Sequence, residues 1–179
     1  MSQRIRNTEI ALISTFTANQ VRALQQAFGI SMNSYKSADQ TVAASTTFVN
    51  DTDMWTELYG AGRHRVTMIL ATPTMTAAGG IKLQLVADQG LTINAIRMSA
   101  YYFLTGVAPA VTPITALATP VNGGTTNAWT SVLITGTVDV ANGGVLQLQW
   151  AQQAASGSTT VGLGSSLDSV QLPGGFGPT

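Results

Sequence analysis

The chain has no cysteine and one histidine, His64, in 179 residues. Without thiols there are no disulfides and no thiolate metal sites. A lone imidazole between Arg63 and Arg65 is a poor nucleus for a metal centre, so no metal and no cofactor are expected. His64 is read as a loop or strand-start residue open to solvent. Charge is scarce as well, at 9% of residues against about 25% in an ordinary soluble domain. From Met98 to Thr179 the only charged side chains are Asp139 and Asp168, with no Lys or Arg. Net charge is zero and no basic run occurs, so no nucleic-acid partner is expected. No apolar run reaches the roughly 18 residues a spanning helix needs, so no membrane partner is expected either. The apolar run in MSQRIRNTEIALISTF breaks too early for a signal peptide.

What is present is a 45% hydrophobic chain, enough for one ordered domain with an appendage. A surface this poor in ions implies that copies cover one another, since charge depletion marks the centres of interfaces. The alternative is a monomeric β-protein with a neutral coat of Ser, Thr, Asn and Gln.

Three regions are expected. Residues 1–40 form an arm with a short helix, TANQVRALQQAFG, in which Thr17 and Gln20 make a capping box and Val21, Leu24 and Phe28 an apolar stripe. Residues 41–172 form a β domain, and residues 173–179 a loose Gly/Pro tail. Within the β domain, RVTMILAT (65–72) alternates and then becomes continuously apolar. IKLQLVAD (81–88) and VLQLQWAQ (145–152) alternate cleanly, and LTINAIRMSAYYFLTG (91–106) is long enough for two strands or one bent strand. Ala-Gly-Gly at 78–80 and Asn-Gly-Gly at 122–124 and 142–144 suggest hairpin turns. About eight strands without a second long helix point to a mainly β, antiparallel, jelly-roll-like sandwich with a short helical N-terminal arm.

Catalytic machinery is hard to find. The chain has no G-x-S-x-G elbow, and GLGSS (162–166) reads as a turn. NDTDMWTE gathers Asp51, Asp53 and Glu57, but a calcium loop would need a glycine that is missing, so Asn50 and Asp51 are read as setting a turn through side-chain to backbone bonds. Phe103, Trp129 and Trp150 are read as core.

ASTTFVNDTDMW (44–55) and ITGTVDVANGGVLQLQWAQQAASGSTTVGLGSSLDSVQL (134–172) resemble a module common in tailed-bacteriophage virion proteins. The resemblance spans roughly residues 41 to 172. It implies a jelly-roll domain of the head-fibre, capsid-decoration or tail-fibre type, a virion location, a homotrimer and no catalytic residues. On that footing the arm is the anchor on a capsid or tail protein, through Arg4, Arg6, Ile10, Leu12, Ile13, Phe16, Val21, Leu24 and Phe28. Gln147 and Gln149, on the strand face opposite Leu146, Leu148 and Trp150, are expected at the interface between copies, where amides satisfy one another without charge. The alternative function is a receptor-binding tip, with Trp55 and Tyr59 in a loop that meets a host glycan.

Overall fold

The computed structural model describes residues 31–104, 107–123 and 129–172. The expected helix, the nine arm residues from Arg4 to Phe28 and the 173–179 tail lie outside these. Thirteen strands account for most of the described chain, and no helix occurs among the described residues. They are β1 Met32–Tyr35, β2 Gln40–Ala43, β3 Val49–Leu58, β4 Gly62–Ala71, β5 Thr74–Met75, β6 Lys82–Asp88, β7 Thr92–Leu104, β8 Val107–Ile114, β9 Val121–Asn122, β10 Ser131–Asn142, β11 Gly144–Ala151, β12 Ser158–Val161 and β13 Ser166–Gln171.

All pairings are antiparallel and fall into three sheets. A six-stranded sheet runs β1-β13-β4-β10-β7-β8, a four-stranded sheet β3-β11-β6-β9 and a small one β2-β12-β5. The pairs are nested, with β1 on β13, β2 on β12, β3 on β11, β4 on β10 and β6 on β9. The second half of the chain thus retraces the first in reverse, and the β7–β8 pair extends one sheet outward.

Period-two alternation selects the core. Leu146, Leu148 and Trp150 of β11, Leu83 and Leu85 of β6, and Val66, Met68 and Leu70 of β4 are all buried in one cluster between the two larger sheets. Each such side chain contributes about 1.5–3 kcal/mol through removal from water. The long 91–106 stretch resolves as the single strand β7, with register shifts against β10 near Asp139 and Val140.

Three expectations need correction. Strand structure is already present ahead of residue 41 among the described residues, because β1 pairs with β13 from Met32↔Ser169 to Tyr35↔Ser166. Asn-Gly-Gly at 142–144 is a corner and no hairpin, since it passes from β10 in one sheet to β11 in another. Its glycines serve close approach. A Cβ on Gly143 would lie 2.6 Å from Gly60 N, and one on Gly144 2.7 Å from Leu91 Cα. Ala-Gly-Gly at 78–80 likewise joins β5 and β6 of different sheets. Local turn chemistry fixes φ but does not choose the partner strand. Lastly, His64 lies within β4 and is buried, with no partner for Nε2 among the described residues. Burial pushes its pKa below the ordinary histidine value.

Candidate functional site

The most heavily bonded polar group sits behind β3. Gln147 pairs with Trp55 and Gln149 with Asn50, so two steps on β11 face five on β3, and residues 51–54 bulge out of register. The bulge is held from its own sequence. Asp51 Oδ1 accepts the backbone N–H groups of Asp53 and Met54, each at 3.1 Å. Asp51 Oδ2 accepts Trp150 Nε1 at 3.1 Å. Lys36 Nζ donates to Asp51 Oδ1 at 2.8 Å and to Gln40 Oε1 at 3.2 Å. In place of the turn expected from Asn50-Asp51 there is a bulge inside strand β3, and the side-chain to backbone bonds that hold it come from Asp51. Asp53 Oδ2 in turn accepts the Ser37 N–H at 2.9 Å and the Ser37 hydroxyl at 3.1 Å. The Ser37 N–H, followed by the hydroxyl, holds the Asp53 carboxyl below its usual range.

In front of the bulge lies the outer face of the four-stranded sheet. It carries an amide relay, in which Gln84 Nε2 donates to Gln149 Oε1 at 2.6 Å and Gln149 Nε2 donates to Asn50 Oδ1 at 2.7 Å. Gln147 Nε2 donates to Asp51 O at 2.8 Å. Gln147 and Gln149 are half-buried, and each donates one amide hydrogen within the chain. Trp55 stands beside them on β3, 45% exposed, whereas Trp129 and Trp150 are buried. Trp55 belongs to a strand, and the loop expected for it does not exist. Tyr59 follows one residue after the strand ends.

Two grooves flank Gln89, which holds φ +50° in the turn between β6 and β7. One, of about 290 Å³, is lined by Trp55, Gln147, Asn50, Asp51, Thr52, Asp88, Gln89 and Val145. The other, of about 250 Å³, is lined by Tyr59, Glu57, Asn142 and Gln89 among others. No Lys or Arg lines either groove. No group of three or more His, Cys, Asp or Glu positioned for a metal occurs among the described residues.

No family model and no curated protein matches the chain.

A second surface went unread in the sequence. On the outer face of the six-stranded sheet, Val111, Tyr101, Leu133, Ile69, Ser166 and Tyr35 are successive register partners across all six strands. Val111 is 54% exposed, Ile69 47% and Tyr35 69%. The next outer row is Ser99, Thr135, Thr67, Asp168 and Asn33. Farther on, Asp139 joins Arg63 at 2.6 Å and Arg97 at 2.8 Å. The face therefore grades from apolar through hydroxyl to charged. Phe103, expected in the core, is only half-buried on β7, two residues beyond Tyr101. The available signal was the run MILA: where apolar residues stop alternating, both faces are apolar.

Proposed function

We propose that this chain is a non-enzymatic structural protein of a tailed-phage particle, of the capsid-decoration or head-fibre kind. In this reading it is a jelly-roll sandwich that assembles as a homotrimer and docks on a capsid or tail protein through the residues ahead of β1. The nested strand pairs support the jelly-roll label, because that topology wraps a long antiparallel hairpin around a core. The virion location rests on the resemblance of residues 44–55 and 134–172.

The observation that carries the assembly reading is the apolar row from Val111 to Tyr35. At about 4.8 Å per strand it spans roughly 24 Å, a length that a lone chain would leave wet. Its occupant is a second copy of this chain. The neighbouring row is nearly uncharged and the chain is neutral, so copies approach without repulsion. Association of this sheet proceeds through its face, because both of its edges are blunted. Edge strand β1 has only four residues, and edge strand β8 carries Pro109 and Pro113.

Sedimentation velocity tests this. The expected species has three times the 18.6 kDa chain mass. Replacing Ile69 and Leu133 together with Lys is expected to leave single chains with an unchanged far-ultraviolet dichroism spectrum. A wild-type protein that stays a single chain at high concentration overturns the assembly reading. Absence of the chain from purified particles by mass spectrometry overturns the virion reading.

A further inference from the structure

We propose that the two grooves on either side of Gln89, one beside Trp55 and one beside Tyr59, together form a binding site for a neutral oligosaccharide. An exposed indole on an outer sheet face has two ordinary uses, as an interface anchor or as a platform for a ring. Its surroundings decide between them. An interface anchor sits among other apolar groups, as Ile69 and Leu133 do on the opposite sheet. Trp55 sits among Gln147, Asn50, Thr52, Gln89 and the carboxylates Asp51 and Asp88, with Val145 the one other apolar side chain. A flat apolar platform ringed by amides, a hydroxyl and carboxylate acceptors matches a sugar, which has C–H bonds on its faces and hydroxyls at its rim.

The polar groups are pre-set. Gln147 is tied through Nε2 to Asp51 O, which leaves Oε1 as the acceptor it can offer a ligand. Asn50 accepts Gln149 at Oδ1, so its Nδ2 is the donor it can offer. The capped bulge fixes Asp51 and Asn50 from behind, so little order has to be imposed on binding. Charge narrows the ligand class further. Asp51 is neutralised by Lys36, and Glu57 and Asp88 on the groove walls have no cation among the lining residues beside them. Phosphorylated and sialylated sugars are therefore repelled. Length selects a chain of sugars over a single ring. Trp55 and Tyr59 lie four residues apart along an extended segment, about 13 Å, and each lines its own groove with Gln89 between.

The indole N–H resonances give a selective readout, since Trp55 is exposed and Trp129 and Trp150 are buried. The full chain is titrated with maltohexaose, cellohexaose and the hexamer of N-acetylglucosamine up to about 10 mM, above a millimolar Kd. Sialyllactose is the anionic control. At least one neutral hexamer is expected to shift the Trp55 signal saturably and leave the other two in place. Trp55→Thr, which keeps a strand former, is expected to abolish binding seen by calorimetry. Gln147→Leu is expected to weaken it about tenfold, the loss of one hydrogen bond to a ligand. If no neutral hexamer shifts Trp55, if sialyllactose binds as well as they do, or if both variants bind like wild type, the proposal is overturned. None of these outcomes bears on the oligomeric state.

Discussion

Lys36 Nζ lies 2.8 Å from Asp51 Oδ1, with both side chains wholly removed from solvent. The pair ties the segment between β1 and β2 to the bulge in β3, and Trp150 from β11 completes it. Burying two charges is unfavourable unless their remaining valences are filled. Here the carboxylate has four donors, and the ammonium has Gln40 beside it. Removing both partners is therefore expected to cost less than the two single removals added together. Lys36→Met is expected to destabilise the fold by about 3–5 kcal/mol in urea denaturation. The double variant Lys36→Met/Asp51→Asn is expected to lose less than the sum of the two single changes. Additive losses would mean that the two groups do not depend on each other.

The same pair makes residues ahead of Thr41 part of the β domain. A chain beginning at Met32 retains β1 and Lys36, whereas one beginning at Thr41 loses both and strands Asp51. The first is expected to melt cooperatively near wild type. The second is expected to be unfolded or strongly destabilised, as read by thermal dichroism. Equal melting temperatures would show that β1 and Lys36 contribute little.

His64 gives a pH dependence. Burial depresses its pKa in the folded chain from the ordinary 6.5. Above about 6.5 the imidazole is neutral both folded and unfolded, so its contribution is constant. As pH falls below that value the unfolded chain takes up a proton that the folded chain refuses, and stability declines. His64→Leu is expected to flatten the fall in urea midpoint below pH 6.5 and to match wild type at pH 8. An unchanged slope would assign acid sensitivity to other groups.

Gly136 sits in β10 between β4 and β7 with φ +152°. A Cβ there would strike the Arg97 carbonyl oxygen and lie 2.6 Å from Met98 Cα. Gly136→Ala is expected to cost about 2–4 kcal/mol, combining backbone strain and overpacking. Gly90 is the control. Its φ is +82° with nothing within 4 Å of a Cβ, so Gly90→Ala should cost only about 1–2 kcal/mol of backbone strain. Similar losses at the two sites would remove the steric account of Gly136.

Legibility in the sequence followed the range of the interaction. Leu146, Leu148 and Trp150 were readable because alternation is local, and they are core. The bonding of the Asp51 side chain to nearby backbone was readable because it is local, although it holds a strand bulge and no turn. Partner choice was not, since Gly143 and Gly144 look like a hairpin in any window of ten residues. The fate of Gln147 and Gln149 turned on Asn50 and Asp51, nearly one hundred residues away. The role of Lys36 was not readable either, since its partner Asp51 stands fifteen residues away on strand β3. The apolar row was hidden most completely, because it takes one residue from each of six strands.

The nested pairs also set the order in which the chain can mature. Met32 rests against Ser169, so the outermost pair waits until Ser169 has left the ribosome. Inner pairs such as β6 with β9 close short loops and can form early, while the long closures come last. Until then the edge of β4 that β13 will occupy stays open. A nascent chain with such a late-closing seam spends its synthesis exposed to mispairing with its neighbours.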